Sequence, residues 1–228
     1  MSLTSQSFVQ DDLPEALAPD PQNKKDFKVA DNCFAFSPGQ LNKLYNSKSL
    51  PALYTIGELH GLEYSLRTNL DAGLSAGESI LPGAVILEKT RQAALFKLLS
   101  CYYWQNIKLP KVDCQVRVVH SGRLRMVHIN DMVVGDVVYI GPGDCAPADG
   151  VVIVNHGLEY DESIATSELD QIEKVTGEKA TANKNPFTIS GSKVLEGLGT
   201  YLVTNVGLYS MYGRIIVSLG TESAPTPL

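Results

Sequence analysis

The sequence predicts an α+β protein in which short amino-terminal helices flank a β-sandwich or jelly roll. Three observations carry this expectation. Before residue 110, apolar residues recur at helical spacing behind recognisable helix starts. From Val112 onward they alternate with polar residues at strand period. Glycine-rich turns then divide the remainder into several short strands, the pattern of a sandwich or jelly roll.

Residues 1–32, rich in Pro, Asp, Gln and Asn, are expected to form a flexible lead-in. The helical segment covers 33–109. At Ser37-Pro38-Gly39-Gln40, Ser37 caps, Pro38 suits the first helical position and Gln40 completes a capping box, with Leu41 and Leu44 supplying the apolar face. Ser49-Leu50-Pro51 starts a second helix. Leu59, Leu62 and Leu66 share one side of a third, and Asp71-Ala72-Gly73 turns the chain. Residues 84–106 predict a further amphipathic helix that Pro110 ends.

The β domain is placed at 110–219. Val112, Cys114, Val116 and Val118 alternate as a half-buried strand, Ser121-Gly122 turns, and Leu124 to Ile129 returns. Val137 to Ile140, Val151 to Val154, Phe187 to Ile189 and Lys193 to Val206 complete the strands. Gly197 and Gly199 predict a bend or bulge in the last of these. A helix from Tyr212 to Leu219 leads into a tail at 220–228.

Composition narrows the function. With 44% hydrophobic residues, 228 residues can bury one substantial core. The net charge of -6 and pI near 5.2 argue against nucleic acid or an anionic membrane surface as the main partner. Cys33, Cys101, Cys114 and Cys145 are widely spaced, with no Cys-x-x-Cys pair and no histidine at ligand spacing. They read as buried thiols of a reducing compartment, and neither a metal nor another cofactor is expected. The first twenty residues lack a secretory pattern and no run approaches the roughly 20 apolar residues of a membrane span, so a cytoplasmic location is expected. His60, His120, His128 and His156 sit in no recognisable nucleophilic arrangement and read as ordinary polar residues.

Several ordered segments resemble the amino-terminal helices and actuator domain of fungal plasma-membrane-type calcium pumps, which are P-type ATPases. They are Phe34-Ala35-Phe36-Ser37-Pro38-Gly39-Gln40-Leu41, Gly61-Leu62-Glu63, Leu66-Arg67-Thr68-Asn69, Val134-Gly135-Asp136-Val137-Val138, Pro142-Gly143-Asp144-Cys145-Ala146-Pro147-Ala148-Asp149-Gly150 and Ser190-Gly191-Ser192-Lys193-Val194-Leu195-Glu196-Gly197. The stretch from Tyr160 to Asp170 resembles the family's signature loop, whose Thr-Gly-Glu-Ser drives dephosphorylation of the pump's aspartyl phosphate. Here that tetrapeptide is Thr166, Ser167, Glu168 and Leu169. Thr176-Gly177-Glu178 falls about ten residues too late for the register and reads as a surface turn.

The resemblance implies an actuator-like β domain with a degenerate tetrapeptide and with the first membrane hairpin replaced by the stretch at 84–106. No phosphorylation motif follows in this sequence, so neither pumping nor ATP hydrolysis is expected of it. Two functions remain open. One is cofactor-independent conversion of a small apolar molecule, an isomerisation or cyclisation, bound by Leu98, Cys101, Tyr102, Tyr103, Trp104 and Leu169, with Glu168, Asp170 and His156 as acid–base candidates. The carboxylate of Glu162 is grouped with Glu168 and Asp170 as solvated. The other is a non-catalytic pseudo-actuator that binds a protein partner, an intact pump or another.

Overall fold

The computed structural model describes residues 17–18, 34–46, 48–75, 115–163, 171–179 and 184–221. The helix expected over 84–106 lies outside them. Three short helices come first, α1 (Pro38–Asn46), α2 (Leu50–Ile56) and α3 (Glu58–Ser65). The capping box forms as its residues dictate. The Gln40 amide donates to Ser37 Oγ at 3.3 Å and the Ser37 amide donates to Gln40 Oε1 at 2.8 Å. Ser49 caps α2 by accepting from the Ala52 amide, and Leu59, Leu62 and Leu66 are all buried on the sheet side of α3.

Seven strands follow: β1 (Gln115–His120), β2 (Arg123–His128), β3 (Val137–Ile140), β4 (Asp149–Asp161), β5 (Gln171–Glu173), β6 (Phe187–Thr188) and β7 (Lys193–Asn205). They form one antiparallel sheet in the order β2-β1-β3-β7-β4-β5, with β6 on β4. A last helix, α4 (Met211–Thr221), starts one residue before the expected position.

Both faces of the central strands are buried, which explains their near-continuous apolar runs. Val137, Val151 and Leu202 face one core with Leu41, Leu44, Tyr45, Leu53 and Leu62 of the helices. Val138, Val152, Tyr201 and Val203 face the other, closed by Ala146 and Ala148 of the loop between β3 and β4. The fold is the expected antiparallel jelly-roll-like domain with a few short helices.

Three local expectations need correction. The strand expected at Val151 to Val154 runs on to Asp161, because register shifts against β7 keep the polar Asn155-His156-Gly157 segment in the ladder. The shift between His156 and Glu159 lies opposite Gly197, whose φ is +80° and whose added Cβ would stand 2.1 Å from the Gly157 carbonyl oxygen. Second, β5 is short, polar and exposed at both ends, so no apolar alternation announces it. Third, the Thr176-Gly177-Glu178 stretch leads into a 3-10 turn (Gly177–Lys179) that packs on α3. Gly177 is buried there, where a Cβ would meet Leu59 Cγ at 2.7 Å, so it is no free surface turn.

Candidate functional site

The signature loop leaves the sheet where β4 ends and returns as β5 begins. Asp161 pairs with Gln171, Tyr160 with Ile172 and Glu159 with Glu173, so both feet of the loop are held in one short ladder. At the first foot Asp161 Oδ1 accepts the Ser163 amide at 3.0 Å, and the Ser163 hydroxyl and amide together hold the Asp161 carboxyl below its usual range.

Beside the paired ends of β4 and β5 lies a buried ionic chain. Glu162 and Lys174 are both fully buried, and the Lys174 ammonium donates to Glu162 Oε1, to Asn185 Oδ1 at 2.9 Å and to the Phe187 carbonyl at 2.6 Å. All three of its donors are thereby satisfied. Lys48, in the α1–α2 connection, reaches the other Glu162 oxygen at 2.7 Å. Burial pushes the Lys174 amine down to about 8, against the pull of Glu162, and the ammonium also lies 5.5 Å from the centre of the Tyr160 ring. Glu162 is therefore a buried partner of two lysines, which corrects its reading as a solvated carboxylate. A carboxylate without these lysines would not tolerate such burial.

A second polar seam joins α1, β4, β7 and α4. Asp149 is buried, and its two oxygens accept the Ser190 amide at 2.8 Å and the Met211 amide at 2.7 Å. Burial raises its pKa to about 6 in spite of those donors. Tyr45 Oη shares a 2.6 Å hydrogen bond with Thr204, and Asn205 donates to Asn42. Elsewhere His120 Nε2 lies 2.6 Å from Oδ1 of the buried Asp136, whose Oδ2 accepts the Val133 amide. The pair fixes the turn before β3, a role that the sequence reading of His120 missed. The signal was present in Val134-Gly135-Asp136, but its partner comes from another strand.

Of the sequence-predicted site residues only His156 is described. It is exposed on β4 opposite Leu198, five residues before Asp161, about 15 Å along an extended strand. The structure brings it to no acidic or nucleophilic partner among the described residues. Glu168, Leu169, Asp170, Leu98, Cys101, Tyr102, Tyr103 and Trp104 lie outside the described residues. Among the described residues two open grooves run along α3. One, of about 410 Å³, is lined by His60, Glu63, Tyr64, Arg67 and Thr68. The other, of about 360 Å³, continues toward Ile153, Thr176 and Lys179. Both are open to solvent, and neither is an enclosed chamber. Among the described residues no three His, Cys, Asp or Glu side chains converge as metal ligands, and no helix is long and apolar enough to cross a membrane.

A jelly-roll-like antiparallel sheet thus carries short helices on one face, and the end of its long strand β4 is paired with β5. The family model for the P-type ATPase actuator domain matches residues 111–219. Similar proteins include calcium-transporting ATPase 2 of Schizosaccharomyces pombe, 39% identical over 133 residues, which are 54% of this chain and 10% of that protein. The plasma-membrane-type calcium-transporting ATPase 5 of Oryza sativa subsp. japonica is 40% identical over 126 residues, 55% of this chain and 11% of that one. Calcium-transporting ATPase PAT1 of Dictyostelium discoideum is 42% identical over 116 residues, 51% and 10% of the two. The chain thus spans about a tenth of the length of these relatives. A solved structure of a zinc-transporting PIB-type ATPase aligns at a TM-score of 0.45 and 22% identity, over 60% of this chain and 22% of that one.

Proposed function

We propose that this chain works as an actuator module that docks on a protein partner through the loop from Ser163 to Asp170, with the dephosphorylation chemistry of the pumps attenuated. The buried Lys174–Glu162–Lys48 chain is the observation that supports this reading. A buried ion pair is weak evidence for stability, since well-packed apolar residues do as well or better. Its use here is to fix where both feet of the loop stand relative to the helices, which matters when the loop must meet a surface.

The loop's own sequence argues for docking over catalysis. Ser167 stands where the resemblance expects the glycine that permits close approach, and Leu169 puts an apolar group in place of a hydroxyl. Glu168 keeps a carboxylate. The alternative, conversion of a small apolar molecule, rests on Leu98 to Trp104, which lie outside the described residues.

The test is binding of the full chain to the isolated phosphorylation domain of a calcium-transporting ATPase, with and without a phosphate mimic on its aspartate. Docking through the loop predicts that Leu169→Asp weakens binding about tenfold or more while Glu168→Gln changes it little. Loss on Glu168→Gln with tolerance of Leu169→Asp would restore the catalytic reading. A thermal shift with apolar ligands that Trp104→Ala removes would favour the small-molecule reading instead.

A further inference from the structure

We propose that the outer edge of β2 is a docking site for an extended acidic segment of another protein, which adds to the sheet as an eighth strand. Strand β2 is the terminal strand of the sheet and pairs, among the described residues, only with β1. Its pairing is regular over all six residues, with no bulge or proline to blunt the edge. Ser121 and Gly122 have φ of 52° and 70°, a type I′ turn, which makes His120 and Arg123 a hydrogen-bonded pair. The amides and carbonyls of Leu124, Met126 and His128 therefore point away from β1, at the spacing an added strand needs.

The side chains specify what would lie there. Arg123 and Arg125 stand on one face of β2, exposed and without an ion pair among the described residues. Leu124 and Met126 stand on the other, 60% and 58% exposed. The hairpin from Gln115 to His128 contains three arginines and no acidic residue, within a chain of net charge -6. A second copy would set these arginines against each other, so self-pairing is disfavoured. A strand alternating acidic and apolar residues would meet arginines on one face and Leu124 and Met126 on the other while its backbone completes the ladder. Aliphatic rather than aromatic exposure offers no stacking platform for nucleic acid bases.

The probe is a short synthetic peptide of alternating Glu and Val, titrated against the full chain with hydrogen exchange as readout. The expected result is saturable binding that slows exchange at Leu124, Met126 and His128. Arg123→Glu with Arg125→Glu should weaken binding about tenfold or more while leaving the melting temperature unchanged. A Lys and Val peptide should then bind that variant in place of the original. Methylating the peptide's pairing amides should abolish binding. Equal binding of the methylated peptide, or no binding at millimolar peptide, overturns the proposal. So does binding confined to phosphatidylserine vesicles or to an oligonucleotide.

Discussion

Replacing Lys174 by Met tests whether the loop's base is held as an ionic unit. Lys174 and Glu162 have no exposed side-chain surface, and the ammonium serves three acceptors, Glu162, Asn185 and the Phe187 carbonyl. Met removes the charge while nearly keeping the volume, so packing loss is minor. What remains is a buried Glu162 facing Lys48, a group 27% exposed. Breaking a buried pair costs about 3–5 kcal/mol. The orphaned Phe187 carbonyl would add about 1–3 kcal/mol if independent, but the terms share one site and do not add fully. The expected loss is therefore about 4 kcal/mol, read as a lower urea midpoint at constant slope. Removing Glu162 as well, in Lys174→Met with Glu162→Leu, should recover about 2 kcal/mol or more of that loss. Lys48→Met alone should cost about 1 kcal/mol, because solvent already screens that ammonium. A Lys174→Met loss under about 1 kcal/mol, or a double variant as unstable as the two single losses summed, would refute the ionic-unit account.

Asp149 gives a pH signature. Its folded pKa of about 6 lies above the unfolded value of 3.8, so its contribution is fully present below about pH 3.8 and is lost as pH rises through 6, by about 3 kcal/mol in all. The difference in stability between wild type and Asp149→Asn, followed by denaturation from pH 4 to 7, should carry this slope. A pH-independent difference would remove the assignment. Gly197→Ala should cost more than about 2 kcal/mol, combining a φ of +80° with a Cβ 2.1 Å from the Gly157 oxygen. Gly122→Ala, at φ +70° in open space, should cost only about 1 kcal/mol, and thermal melts of the two variants rank them. Equal losses would show that conformation alone, and not the approach of β4, sets the requirement at Gly197.

The fold was legible where local chemistry and packing agree. Ser37 with Gln40, Ser49 before Pro51, the Leu59-Leu62-Leu66 stripe and the Ser121-Gly122 turn each announce their element because capping and periodicity are decided within a few residues. The long β4 was not legible beyond Val154, since Asn155 to Gly157 are held there by pairing with β7, a strand far along the chain. The site divides in the same way. The stretch from Tyr160 to Asp170 resembles a signature loop in sequence, yet nothing near Glu162 in sequence says that Lys48 and Lys174 will bury it. Charge likewise misleads in one dimension: an acidic chain with no basic run still folds a strand edge on which two arginines stand free of acids among the described residues.

Lys48 belongs to the connection between α1 and α2, and Leu59 of α3 seats on Gly177 just past β5. The helical layer therefore grips the loop's surroundings at two separated points, one ionic and one apolar. Two fixed points transmit torque where one would act as a pivot. Force applied to α1 would turn the paired strand ends at Asp161 and Gln171 with the helices rather than let the helices slide over the sheet.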